Sequence, residues 1–514
     1  MKRYSDLEYL KLSKGQKFLY KLESFFLAIP AAIGRFFLGI GRFFKKLGLG
    51  IGREFADLGK TFKEGDWKTR GSYLVMGLGS MARGQVLRGL MFLLFEAVFI
   101  VYMVLPQGGL FWLGKLDNLG DQGVHKVTEN VFGQTVERVV YGDNSFRILL
   151  YGVLTIFFII AFIYTWRLNI KQNKIAQDYE RSGRHLSSGR DDLRALVDEQ
   201  FYKTLLALPL TGILVFTVMP IVFMILVAFT NYDGTHDGLN NLFTWVGLDN
   251  FNTMLGWSSG GTSYSAAFGE ILTWTLIWAF FATFTNYFLG MFVAMMINKK
   301  GIKLKKVWRT ILVLTIAIPQ FISLLYVGKM FAKNGLINLS LINLGWITPG
   351  NELPFWEDPT WARITVILVN IWIGIPYLML IATGILMNIP ADLYESSRID
   401  GANAWQQYTK ITLPYMLFIT GPYLLTSFIG NMNNFNVIYL LTGGAPTNAA
   451  LSTAAGSVGH TDLLITWLFK ITMGAESKYN MASVVGILVF AISAIISLVV
   501  YSVLPSIKNE EDFQ

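Results

Sequence analysis

The chain contains no cysteine. That excludes disulfides and thiolate metal sites, and leaves the compartment open. Charge is sparse as well: only 15% of the 514 residues are Asp, Glu, Lys or Arg, against 53% hydrophobic. A soluble chain of this length would show alternating amphipathic segments. This one shows repeated apolar runs close to the ~20 residues that a helix needs to cross a bilayer. The N terminus lacks the short apolar core and small-residue cleavage site of a removable signal peptide. No glycine-rich phosphate loop is present: the nearest candidate, EFADLGKT at 54–61, has Glu where the pattern needs Gly and no strand before it. No cytoplasmic carboxylate cluster suited to a metal and a nucleotide-sugar stands out, which counts against a membrane glycosyltransferase.

Backbone amides in lipid must bond internally, so each apolar run predicts a helix and the fold class is an all-α integral membrane protein. The expected spans, about eight, fall at 87–106, 148–166, 204–230, 271–297, 310–328, 364–388, 415–441 and 483–505. Glycine is abundant, at 49 residues, as in helices that pack inside membranes. Basic residues set the orientation. Seventeen Lys and Arg precede residue 89, eight lie between Arg167 and Lys203, six lie between Lys299 and Arg309, and Lys508 is in the tail. The loop from Tyr232 to Phe268 has none. Both termini are therefore expected on the cytoplasmic side. The net charge of +9 reads as a topology signal, and nucleic-acid binding is a poor explanation for it.

Three regions follow: 1–86, a basic amphipathic cytoplasmic segment; 87–203, two spans with a basic loop; and 204–514, six spans. The loop RLNIKQNKIAQDYERSGRHLSSGRDDLR has helical composition and Gly/Ser punctuation, and is taken as a solvated linker over a lateral helix. In 1–86, IGRFF repeats at a step of seven and IGREF returns eleven residues on, so Arg35, Arg42 and Arg53 share a helix face and the Phe residues 36, 37, 43, 44 and 55 occupy the flanks and the opposite side. This fits a helix lying on anionic lipid. A frayed basic tail is the alternative, because glycine weakens helices. Glu96 is an acid inside the first span, read as a packing or headgroup contact before a proton relay.

One cytoplasmic stretch, LYESSRIDGANAWQQYTKITLPYM at 393–416, is polar between two spans. Locally it predicts two short helices, the first opened at Pro390 and ended by a left-handed Gly401. Its spacing resembles the EAA loop of ABC importer permeases. Glu395-Ser396-Ser397 stands for Glu-Ala-Ala, Gly401 follows after three residues, and Ile411-Thr412-Leu413-Pro414 closes the pattern, with serines in place of both alanines. FTNYDG, VGLDNF, FWEDPTWARITVILVNIWIGIPYLML and SFIGNMNNFNVIYLLTGGAP narrow the resemblance to the larger permease of maltose-type importers.

That resemblance implies a type I ABC importer permease fold in a bacterial cell membrane, importing an oligosaccharide of the maltodextrin kind. It implies that the 389–414 loop couples to a partner ATPase through Glu395, Ser396, Ser397, Asp400 and Gly401. The implied partners are a second, smaller permease, an ATPase dimer that uses ATP and Mg, and an extracytoplasmic sugar-binding protein, in contact with membrane lipid. No cofactor or catalytic residue is expected in this chain. A self-sufficient secondary transporter or channel is the alternative. It would need intramembrane coupling groups and no cytoplasmic knob.

For sugar contact, Ser427, Asn431 and Asn434 are spaced by four and three residues and read as one helix face, with Gly430 on an adjacent strip. Taken alone, such residues fit interhelical hydrogen bonding better. The resemblance turns the reading to sugar, and adds Gly374, beside Trp372 and Pro376, on the preceding span. Two departures from the family stand out. The segment LTIAIP has Ile316 where relatives can offer an aromatic ring, and the external loop 232–268 is short.

Overall fold

The computed structural model describes residues 13–119, 124–131, 134–141, 144–237, 242–258, 262–299, 301–452 and 456–503. The terminal residues with Lys508, and the side chains of Arg35, Phe36 and Phe37, lie outside the described residues. Among those described, seven helices are long and apolar enough to cross a membrane, and a bent pair brings the number to eight. The helices cover the expected apolar runs, and two of those runs, 310–328 and 415–441, are broken. The all-α class gains one addition: strands Val124–Val131 and Gln134–Tyr141 pair antiparallel between the first two spans.

The chain forms two compact units, parted at Asn250 and not near residue 200. The first, 39–250 with 478–483, holds spans Val86–Val104, Ser145–Arg181 and Phe201–Val227. Its apolar centre joins Leu119, Ile148, Leu149, Val227 and Phe243, and this ties the third span to the second. Ser145–Arg181 has 37 residues. At 1.5 Å per residue it is about 55 Å long, so it outruns a ~30 Å hydrocarbon layer. The expected linker at 167–203 is therefore corrected: the span runs on as helix to Arg181, and a capped helix follows at Gly189–Val197.

Short helices Trp67–Gly71 and Leu78–Ala82 fold against that extension. Arg83, with its side chain fully buried, grips Asp66 at 2.7 Å and Glu180 at 3.1 Å, and donates to Asn173. Burial raises the Asp66 carboxyl, but the Thr69 hydrogen bonds and the Arg83 guanidinium outweigh it and hold the group below the ordinary carboxylate range. Glu96 accepts the Met76 backbone N–H at 2.8 Å, a packing contact.

In the second unit, Ser263–Asn298, Pro359–Leu386 and Leu413–Met432 are the packed centre. Trp274, Trp278, Val366, Val369, Val437 and Ile438 bury one layer, and Tyr287, Met291, Met379, Met416 and Leu424 another. Toward the end of this unit the fully buried Asp462 carboxylate receives Lys470 Nζ at 2.7 Å, the Gly459 N–H at 2.7 Å and the Thr466 hydroxyl at 2.9 Å. Burial nonetheless pushes the Asp462 carboxyl above its ordinary range.

Candidate functional site

The expected span at 310–328 is not one rod. Helix Lys305–Ala317 stops, Ile318 is extended, and Gln320–Met330 restarts at 91° to the first half. Pro319 supplies the reason: it has no N–H to continue the ladder, and its ring forces the preceding residue out of the helical region. A broken membrane helix frees backbone groups that lipid cannot satisfy, so such breaks occur where protein or a cavity lines them. Here a cavity of about 310 Å³ opens at the break, lined by Thr315, Ile316, Ile318, Pro319, Gln320, Ser323, Trp372, Ile373 and Tyr377. That is the lower end of the range for ligand pockets. Ile316 brings no ring, as the sequence indicates, but Trp372 and Tyr377 bring two from the neighbouring helix.

The expected sugar face changes shape. Helix Leu413–Met432 ends before Asn434, so Ser427, Asn431 and Asn434 do not stack on one helix face. Asn434 sits in the break and caps the next helix, Phe435–Leu441, by accepting the Val437 N–H at 3.3 Å. Side chains of this type favour caps over helix interiors because they bond the orphan amides of a first turn. Asn431 donates to Thr283 Oγ1 at 3.0 Å, accepts weakly from Asn434 at 3.5 Å, and its carbonyl receives the Trp278 indole at 3.0 Å. Both amides therefore carry interhelical work. Gly430 faces open space. Gly374 does not: a Cβ there would meet Asn286 Nδ2 at 2.3 Å, so its missing side chain lets two helices close up. Beside it the buried Asn286 Oδ1 and Asn370 Nδ2 have no partner. The sequence reading passed over Asn286, Asn370, Gln320 and Tyr377, although each is a polar residue within an apolar run.

The polar stretch around 391–412 folds as a compact hairpin of helices. Ala391–Ile399 follows Pro390, which stands at the N-cap, one place before the first turn. Gly401 takes φ +78°, the left-handed conformation that the sequence requires of it. Asn403 and Gln406 then form a reciprocal capping box for Ala404–Gln407, and a π-turn at Tyr408–Thr412 leads into Leu413–Met432. The two serines differ in role. Ser396 is exposed. Ser397 accepts from Gln407 Nε2 at 2.8 Å and donates to the Tyr394 carbonyl at 2.9 Å, while the Tyr394 hydroxyl meets Thr412 at 2.9 Å. Ser397 thus clamps the hairpin from inside. Glu395, Asp400 and Gly401 are exposed beside Ile399, 88% exposed, and Trp405, 70% exposed. Large apolar side chains left in water next to charges suit contact with another protein.

Comparison with known proteins gives a consistent set. The family model described as "Binding-protein-dependent transport system inner membrane component" matches residues 286–509. The maltodextrin transport system permease protein MalC of Streptococcus pneumoniae is 32% identical over 447 residues, covering 85% of this chain and 96% of that protein. The maltodextrin permease MdxF of Bacillus subtilis is 32% identical over 449 residues, covering 85% and 95%. The galactooligosaccharides permease GanP of the same organism is 32% identical over 424 residues, covering 82% and 94%.

Proposed function

Because the chain belongs to the family of binding-protein-dependent transport permeases, among the sugar importers of the maltose and maltodextrin type, we propose that it forms the pathway for an oligosaccharide and that its cytoplasmic hairpin receives an ATPase partner. The hairpin carries the proposal: a clamped pair of helices that leaves Ile399, Trp405, Glu395 and Asp400 all exposed. The chain hydrolyses no ATP itself. ATP and Mg belong to a partner ATPase dimer below the cytoplasmic face of the cell membrane, on which both termini lie. A smaller permease stands beside it, and an extracytoplasmic binding protein delivers the sugar.

The sugar is placed at the broken helix. Trp372 and Tyr377 offer ring faces, Gln320 and Ser323 offer hydrogen bonds, and the route continues along Ser427, Gly430 and Asn431, with Asn434 and Gly374 shaping its wall. The relatives named for maltodextrin and for galactooligosaccharides are equally similar. The proposal therefore stops at a short neutral oligosaccharide, with the maltodextrin kind preferred from the wider set of relatives.

The test is the hairpin. Ile399→Asp places a charge at the apolar tip, and Glu395→Lys reverses the charge beside it. Each variant should insert and fold, yet lose co-purification of the ATPase and sugar-dependent uptake in membrane vesicles. Normal uptake by both would sink the coupling role.

A further inference from the structure

The first unit holds a cavity of about 420 Å³ that the transport reading leaves unused. Its walls come from spans Val86–Val104 and Ser145–Arg181 and from the capped helix Gly189–Val197. The third wall is held close by Gly189, where a Cβ would meet Leu87 Cβ at 2.9 Å. The volume falls within the range of about 300–1,000 Å³ for small-molecule pockets.

The lining is graded along the two spans. Arg88 to Phe95 on one, and Gln172 back to Thr165 on the other, each cover about 10 Å of helix. One end is apolar, with Met91, Phe92 and Phe95, and Phe95 stacks on Phe162 of the second span. The other end is polar, with Arg88, Asp192, Gln172 and Gln200. Between the two ends the second span carries Trp166 and Arg167. An indole followed by a guanidinium marks the level at which a span leaves hydrocarbon for headgroups. The cavity therefore straddles the membrane–water boundary.

Two further observations define the ligand's chemistry. Gln172 lines the cavity, and its Oε1 is buried without a hydrogen-bond partner. A buried acceptor left unpaired is costly, and a ligand donor would satisfy it. The cation at the polar end is already engaged: Arg88 Nε donates to Asp192 Oδ2 at 3.0 Å, and its terminal nitrogen reaches Asp192 and Ser187. An incoming head group thus meets an open acceptor and a neutralised guanidinium. On the third wall Leu193 is 56% exposed and Leu196 40% exposed, although both line the cavity. An apolar chain laid there would cover them.

We propose that this cavity binds an uncharged acyl lipid with hydroxyls in its head, of the acylglycerol class. The chain lies along Met91, Phe92 and Phe95, and a head hydroxyl donates to Gln172 Oε1. The site selects for a donor and not for charge, and no part of it depends on the transport reading.

The test uses the full chain in phosphatidylcholine nanodiscs and a monoacylglycerol with a photoreactive group near the end of its chain. Crosslinks should fall on the wall around Met91 and Phe95, and an excess of plain monoacylglycerol should displace them. Gln172→Leu should weaken binding about tenfold. Methylating the lipid's hydroxyls should do the same, and the two changes together should cost no more than either alone. The methylated lipid needs no variant, so the test survives a variant that fails to fold. Ala195→Trp, which fills the cavity from the third wall, should abolish the crosslinks with the melting temperature kept. Crosslinks spread evenly over the spans would overturn the proposal. So would parental affinity in Gln172→Leu, or displacement by an anionic phospholipid as effective as that by monoacylglycerol, since either shows that the head group is not read as a neutral donor.

Discussion

Asn431→Leu is the substitution that most sharply divides helix glue from sugar contact. It removes the Nδ2 donor to Thr283 and the Oδ1 acceptor for Asn434, and keeps the backbone carbonyl that receives Trp278. Thr283 is buried, but its hydroxyl can turn to a carbonyl one turn back in its own helix. The structural loss is therefore one interhelical hydrogen bond, about 0.6–2 kcal/mol in a membrane. If the same amide also serves a sugar hydroxyl, a further 1–3 kcal/mol or so is lost in binding, roughly a five- to 150-fold fall in affinity. The two contributions separate when thermal stability, uptake and binding-protein-stimulated ATPase are read on one reconstituted preparation. Trp372→Ala and Gln320→Leu are the companion variants, since both residues face the cavity and neither holds helices together through a hydrogen bond described here. They should reduce uptake with the melting temperature unchanged. If they transport normally, the cavity is not on the sugar's route. If Asn431→Leu loses stability, assembly, uptake and ATPase in parallel, Asn431 is structural alone.

Two further outcomes follow from buried charge. Lys470→Met strands the Asp462 carboxylate at a fully buried position and should cost about 3–5 kcal/mol in thermal unfolding, and the double variant with Asp462→Asn should recover most of it; equal stability of single and double variants would show that the pair is not coupled. Asp66 has a carboxyl held below its ordinary value of 3.8, so its contribution is complete above that value and drains away as pH falls through the lowered one. Protease resistance of the 57–83 segment should hold from neutral pH to about 4 and collapse below it, and Asp66→Asn should be weak at every pH.

The apolar runs and the gapped coupling pattern were legible because both are local: a span is a composition and a hairpin of caps is a spacing. What the sequence hid depends on where a helix stops. The 310–328 run is mostly apolar, and its break turns on Pro319 and Gln320 in the middle. The signal was present, since a residue before proline avoids the helical region. The same error misplaced Asn434: spacing was extended through NMNN as if the helix continued, although clustered asparagines favour a cap. In 167–203 the punctuation of SSG and the charge suggested a linker, and the helix there is held by tertiary contacts such as Arg83 to Glu180 that no local pattern announces. The hairpin at 124–141 has the β-branched alternation of paired strands, a weaker signal than the apolar runs of the spans on either side.

The clamp within the 391–412 hairpin has a mechanical meaning. Ser397, Gln407, Tyr394 and Thr412 bolt the two short helices to the foot of Leu413–Met432, so tip and shaft form a crank and its connecting rod. That shaft is 20 residues long, about 30 Å. Within it Pro414, in the first turn, and Pro422 lack the N–H that would continue the helical ladder. A push on Ile399 would be carried along this shaft toward Asn431. At the far end, the rod bears on Thr283 and Trp278 of the facing helix. The joint most exposed to that stroke is the asparagine break, where the rod ends and the next helix begins.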